Sequence, residues 1–294
     1  MTVNEKLLLV GDNPFHGISH ISEDRARARG RDISNADYAA KLVQTALDNG
    51  ASGFMFSVSN TTLSILRQLN GSPTLYAIIP YAYEYVRIAT HLGTVGLAKE
   101  LAKQIIRSKN LNAIVASLKS IVTMNPSDIL KAYLLYELSR LKDASKHNLN
   151  LKSVMLHEII TEIIISLDLD WLAKDYIKFA NDLGIQPGFE TRNFAHLVTK
   201  FTDWHIDFRK ISIATPFNKI GFQMNPSIED CEKALGEVTE CDVIAMSTLA
   251  SGYITVPEAV DYLAKIPNIK GAVIGVSKEK QAVETFRYFK EHYK

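Results

Sequence analysis

Reactive side chains gather in a few short stretches of this chain, each directly after an apolar run. "LLLVGDNPFHGISH", residues 7–20, carries Asp12, Asn13, His16 and His20 at the end of four aliphatic residues. "VMLHEI" brings His157, Glu158 and then Thr161, and "GFETRNF" brings Glu190, Thr191, Arg192 and Asn193. Carboxylates and imidazoles in such places suit proton transfer, because each can hold or release a proton near neutral pH once its surroundings tune it. Asp12 is the first candidate: a carboxylate just after buried residues is costly unless it is used. Asp12-Asn13-Pro14 is equally good turn chemistry. His157 is the expected acid/base or hydrogen-bond donor to a carbonyl oxygen, with Asp12 or Glu190 as partner carboxylate, and His16 and Asn13 complete the catalytic candidates.

A second chemistry is open to the same residues. Asp12, His16, His157 and Glu190 would supply oxygen and nitrogen ligands for a divalent metal, as in a metal-dependent hydrolase or lyase. No His-x-His or His-Glu-x-x-His spacing ties any two of them together. Lys219 comes a few residues too late after its strand for a Schiff-base aldolase, and neither Cys231 nor Cys241 lies at a strand's carboxyl end.

The elements that must position these groups are readable from periodicity. Apolar runs at 7–10, 53–58, 75–79, 153–156, 186–189, 210–214, 242–246 and 270–274 predict eight strands covered on both faces, as parallel strands are. Helix-period segments lie between them. Ser34 is the expected N-cap of the first, and Gly50 its terminator. Eight strands alternating with helices predict a (β/α)8 TIM barrel spanning 1–294 as one domain. The competing open doubly wound sheet lacks a glycine-rich fingerprint at its first helix. In a barrel, polar residues at the strands' carboxyl ends form the active-site face. Ser57, Ser59 and Asn60, Tyr81 and Tyr83, Thr215 and Asn218, and Ser247-Thr248 join the list there.

About seventy residues separate the third and fourth strands, far more than one crossover helix needs. The spacing predicts a helical insertion over about 95–147, with helices at 95–108, 111–124 and from Asn125-Pro126 onward. It is either a lid, or scaffold and an oligomer contact.

The loops after the seventh and eighth strands of a barrel commonly bind phosphate at a helix N-terminus. "STLASG" and "GVSKEKQ" place Ser247, Gly275, Ser277 and Lys278 there; an ordinary Ser N-cap is the competing explanation. The run "RARARGR" (Arg25, Arg27, Arg29, Arg31) is either a clamp for an anionic substrate or a solvated loop.

Bulk properties narrow the partners. The balance of 33 Lys+Arg against 32 Asp+Glu gives no reason to expect nucleic acid or an anionic membrane. The chain is 47% hydrophobic, enough for a sizeable core, without an apolar run long enough to span a bilayer. Two cysteines and no basic-then-apolar leader fit a cytoplasmic location.

Residues 153–286 resemble aldo/keto reductases. "YIKFANDLGIQPGFETRNF" is similar to their helix–strand unit ending in an Asn-Phe pair, here Asn193-Phe194. "ISIATPFNKIGF" is similar to their sixth strand with its Pro-x-Asn end, here Pro216 and Asn218, and "VIAMSTLASGYITVPEAVDYLAKIPNIKGAVIGVSKEKQAVETF" to their last two units. His157 falls where that superfamily has a strand-four histidine. The resemblance implies a barrel and a nicotinamide cofactor, NADP, held by Asn193, Asn218, Ser247, Gly275, Ser277, Lys278 and Gln281. The family's strand-two Asp and following Tyr, and its strand-three Lys, are not matched: the strands end "FMFSVSN" and "AIIPYAY". The expectation is therefore an enzyme acting on a small, oxygenated, anionic metabolite, aldo/keto-reductase-like in fold but without the standard reductase chemistry. A metal-dependent hydrolase or lyase, and a non-catalytic ligand- or partner-binding barrel, are the alternatives, and a homo-oligomer is compatible with each.

Overall fold

The structure is a computed structural model and describes residues 6–16, 35–80, 125–145, 148–266 and 268–294. Eight parallel strands close on themselves in sequence order: β1 Leu7–Gly11, β2 Gly53–Ser57, β3 Thr74–Ile79, β4 Leu151–Leu156, β5 Gln186–Glu190, β6 Ser212–Pro216, β7 Asp242–Met246 and β8 Ile269–Gly275. β1 makes the closure, pairing through Gly11 with Met55 on one side and Gly275 on the other. The architecture is the (β/α)8 barrel that the alternation predicts.

Period-two alternation splits each strand between two cores. Leu9, Met55, Tyr76, Ile78, Met155, Ala214 and Ile244 pack together inside the barrel. Their neighbours along the strands, such as Val10, Phe54, Phe56, Leu156, Phe189 and Val243, pack outward against the helices. This two-sided burial is why the strands read as continuous apolar runs. Small residues make the interior fit. A Cβ on Gly53 would lie 2.2 Å from the Thr74 carbonyl oxygen, so β2 can approach β3 only with glycine there.

The helices form the outer ring: α1 Ala36–Asp48, α2 Asn60–Gln68, α3 Pro126–Ala144, α4 Glu158–Ser166, α5 Asp170–Asp182, α6 Phe194–Asp203, α7 Ile228–Glu237, α8 Val256–Ala264 and α9 Glu279–His292. The N-cap of α1 is Asn35, whose side chain accepts from the Asp37 amide. The expected cap, Ser34, lies outside the described residues. Gly50 follows the helix at φ +126°, a conformation that suits glycine.

α3 answers part of the insertion question. It starts at Pro126 behind an Asn125 cap, as its sequence predicts, and packs between α2 and α5. That is the position of the ordinary crossover helix between β3 and β4. The expected helices at 95–108 and 111–124 lie outside the described residues, as do His20, Tyr81, Tyr83 and the arginines of "RARARGR". Among the described residues no helix is long and apolar enough to cross a membrane.

Candidate active site at the carboxyl mouth of the barrel

Strand direction decides which polar groups reach the mouth. Met155 belongs to the barrel interior, so His157, two residues on, points the same way, while Glu158 opens α4. On β5 the same rule puts Glu190 above Gly188, whose absent side chain leaves room for Met155, Ser153 and Ser212. Asp12 follows β1 and is buried.

Each group is held by specific partners. The Ser57 amide donates to Asp12 Oδ2 at 2.7 Å, tying the end of β1 to the end of β2. His16 Nε2 meets the same oxygen at 3.1 Å, four residues on within a short 3₁₀ turn. The Ile159 amide donates to His157 Nδ1 at 3.2 Å, which leaves Nε2 as the protonated nitrogen of the neutral ring. Burial, helped by the nearby Arg192 charge and opposed by Asp12, lowers the His157 pKa to about 4. His157 is therefore a neutral donor at physiological pH, not a base waiting to be charged.

Glu190 is tuned the opposite way. Its Oε2 accepts the Glu158 amide at 3.3 Å, while burial and the Glu158 and Asp12 carboxylates push its pKa up to about 8. Burial also raises Glu158, despite Arg192, whose Nε lies 2.8 Å from Glu158 Oε2. The β5 end is fixed from below by Glu162, which accepts the Thr191 hydroxyl at 2.7 Å, the Arg192 amide at 3.3 Å and the Asn193 side-chain amide at 2.7 Å. A carboxyl that stays protonated near neutrality, a neutral imidazole donor and a guanidinium thus share one neighbourhood.

A cleft of about 220 Å³ opens over this end of the barrel. Glu190 and Arg192 line it, with Asn13, Gln223, Ser247, Thr248, Gly275, Ser277 and Gln281 among the others. Four of its residues, Gln223, Ser247, Ser251 and Gly252, have positive φ, and the Ser247 hydroxyl donates to Gln223 Oε1 at 3.1 Å. Left-handed backbone at non-glycine residues costs about 1–3 kcal/mol each and collects at functional sites. An adjoining groove shares Leu249, Gly252 and Gln281 with the cleft and carries Lys278 and Lys280.

The sequence candidates divide accordingly. Glu190, Asn13, Ser247, Gly275, Ser277 and Gln281 border the cleft. Asp12 is buried close enough to influence both Glu190 and His157 electrostatically, and neither Asp12 nor His157 lines the cleft. Lys278 N-caps α9 and borders the groove. Asn218 is fully buried, its amide bonded in both directions to the Phe222 backbone, and Asn193 is spent on Glu162. Both hold loops in shape. The Ser277 amide and hydroxyl both meet Gln281 Oε1, at 3.0 and 3.3 Å, so its donors are already engaged. The proposed metal set does not converge: among the described residues no three His, Cys, Asp or Glu side chains are grouped to hold an ion. Arg192 and Glu158 were visible only as polar strand-end residues, since their pairing depends on β4 lying beside β5. Gln223, well past β6, carries no sequence signal.

No protein-family model matches the chain, and no curated protein matches it significantly. Solved structures do. One described as "the putative aldo-keto reductase" of Pseudomonas aeruginosa superposes with a TM-score of 0.58 at 12% identity, covering 98% of this chain and 91% of that one. A second structure of a "putative aldo-keto reductase" from that organism gives 0.58 at 11% identity, with 98% and 90% covered. Likeness at this identity concerns the fold. The chain is built on a (β/α)8 barrel of the kind seen in these two structures.

Proposed function

We propose that the protein is an enzyme that moves a proton to or from the oxygen of a small anionic carbonyl or hydroxy compound bound in the mouth cleft. One observation carries the reading: Glu190, the last residue of β5, and Arg192, two residues beyond it, line the same cleft, one as a carboxyl whose raised pKa favours the protonated form near neutral pH and the other as a guanidinium. Glu190 Oε2 accepts a backbone amide, so the proton sits on Oε1, free to pass to a substrate oxygen. This would replace the acid that a reductase takes from a tyrosine and lysine; among the described residues the ends of β2 and β3 carry Ser57 and Pro80 in their place. Arg192, anchored through its amide and through its carbonyl to Asn225, would hold the substrate's anionic group. His157, buried outside the cleft lining, would support the end of β4 behind the site, its ring oriented by the bond from the Ile159 amide. Asp12 would hold the ends of β1 and β2 in register beneath the site.

The fold implies a nicotinamide cofactor, and the residues fit one in part. The cleft and the groove share Leu249, Gly252 and Gln281, with Glu190 lining the cleft and Lys278 and Lys280 the groove. Gly275 lets Pro14 pack closely at the cleft wall, since a Cβ there would press within 2.9 Å of Pro14 Cγ. Ser247 and Gly275 would flank the cofactor, and Lys278 and Lys280 would meet its phosphates. When bound, the cofactor would supply a hydride. Ser277 contributes only if Gln281 releases it. Two free, buried cysteines support the cytoplasmic location.

The test is binding and turnover of a panel of 2-oxo and 2-hydroxy acids, with NADPH and NADH followed by fluorescence. Wild type should bind one nicotinamide in the micromolar range and turn over a member of the panel. Arg192→Ala should lower kcat/KM at least about tenfold for anionic substrates, the worth of one charged hydrogen bond. No binding at millimolar cofactor removes the redox reading. Unchanged kcat/KM in Arg192→Ala removes the clamp.

A further inference from the structure

The opposite, N-terminal face of the barrel carries a cavity of about 290 Å³ that the mouth chemistry does not use. It lies between the start of β1 and the end of α9. Its ionisable lining is Lys6, Lys290 and Lys294, and its apolar lining includes Leu8, Phe289 and the Tyr293 ring. Among the described residues no acidic side chain lines it. Lys6 Nζ donates to the Ile269 carbonyl at 2.6 Å and sits 5.6 Å from the centre of the Tyr293 ring. Tyr293 is 4% exposed, and its hydroxyl is buried with no hydrogen-bond partner.

Lysines in a last helical turn are what a helix dipole favours. That account explains Lys290 and Lys294, but neither the cavity nor the orphaned hydroxyl, which costs about 1–3 kcal/mol unless something pairs with it. Burial and the neighbouring Lys270 lower the Lys6 pKa from its ordinary value. We propose that this cavity binds a small organophosphate, its phosphate met by Lys6, Lys290, Lys294 and, after a modest shift, the Tyr293 hydroxyl, and its apolar body lying on Leu8 and Phe289. Three ammonium groups suit a phosphate dianion better than a single carboxylate. The site is separate from the mouth and does not depend on the reading given to Glu190 and Arg192.

Phenyl phosphate is the probe, titrated into the full chain by calorimetry with backbone NMR shifts recorded. Inorganic phosphate and phenol serve as the charge-only and apolar-only comparisons. Phenyl phosphate should bind more tightly than either and shift the Lys6 and Tyr293 signals. Lys290→Ala with Lys294→Ala should weaken it at least about tenfold, and Tyr293→Phe should weaken it severalfold while raising the melting temperature of the free protein. Arg192→Ala should leave it unchanged. The proposal fails if binding is absent, if it is insensitive to the lysine pair, or if Arg192→Ala abolishes it, which would place the anion at the mouth. Equal affinity for inorganic phosphate would overturn the apolar part.

Discussion

Replacing Glu190 by Gln should make the protein more stable at pH 8 and leave it unchanged at pH 4. The reasoning starts from a carboxyl whose pKa is raised from 4.5 to about 8 in the folded state. Below pH 4.5 it is protonated in both states and has no effect. Between the two values the unfolded chain ionises while the folded one keeps its proton, so the folded state binds more protons and stability falls as pH rises. Each pH unit in that window is worth about 1.4 kcal/mol, which sets a ceiling of about 5 kcal/mol. Glu190 borders an open cleft, and solvent there reduces the penalty to about 2–3 kcal/mol. His157 acts in reverse: with its pKa lowered from 6.5 to about 4, its contribution is present above 6.5 and lost as pH falls through 4. The two slopes largely cancel in wild type between pH 4.5 and 6.5, so a single curve would mislead. The difference between wild type and Glu190→Gln cancels what they share and isolates Glu190. The glutamine can still accept the Glu158 amide, so no contact is lost. Urea unfolding at pH 4, 5, 6, 7 and 8 supplies the curves. Superimposable curves, or a variant less stable at pH 8, would refute the raised pKa and with it the proton donor.

Asp12→Ala should cost about 1–3 kcal/mol in urea unfolding, since it removes the acceptor of the buried Ser57 amide and of His16. Gly53→Ala should cost about 3 kcal/mol by the same assay, because its Cβ would collide with the Thr74 carbonyl at 2.2 Å. The His157 ring should titrate near pH 4 by NMR rather than near 6.5, and Asp12→Asn should lower that midpoint further, since Asp12 favours the imidazolium.

What the sequence made legible follows from burial. The stretch 242–246 matches β7 residue for residue because a parallel strand covered on both faces is an apolar run whatever surrounds it. β6 slipped, expected at 210–214 and found at Ser212–Pro216. Asp207 caps a 3₁₀ turn that takes up Lys210, something apolarity does not report. The choice between His157 and Glu158 follows from period two once Met155 is known to face inward. Other features depend on neighbours that are far apart in sequence. α3 has the same periodicity as an inserted helix or a ring helix, and only its packing against α2 and α5 distinguishes them. Asn193 and Asn218 have the chemistry of ligand-binding residues, but Glu162 and the Phe222 backbone claim them. The charge state of Glu190 arises from burial and from the carboxylates of Glu158, which opens α4, and Asp12, which follows β1; no local pattern reveals them.

The most direct test of the account is a crystal structure of the protein soaked with a 2-oxo acid that it binds. The account predicts the acid's carboxylate on the Arg192 guanidinium and its carbonyl oxygen within hydrogen-bond distance of Glu190. An acid bound elsewhere, or bound in the cleft with its carboxylate away from Arg192, would contradict it.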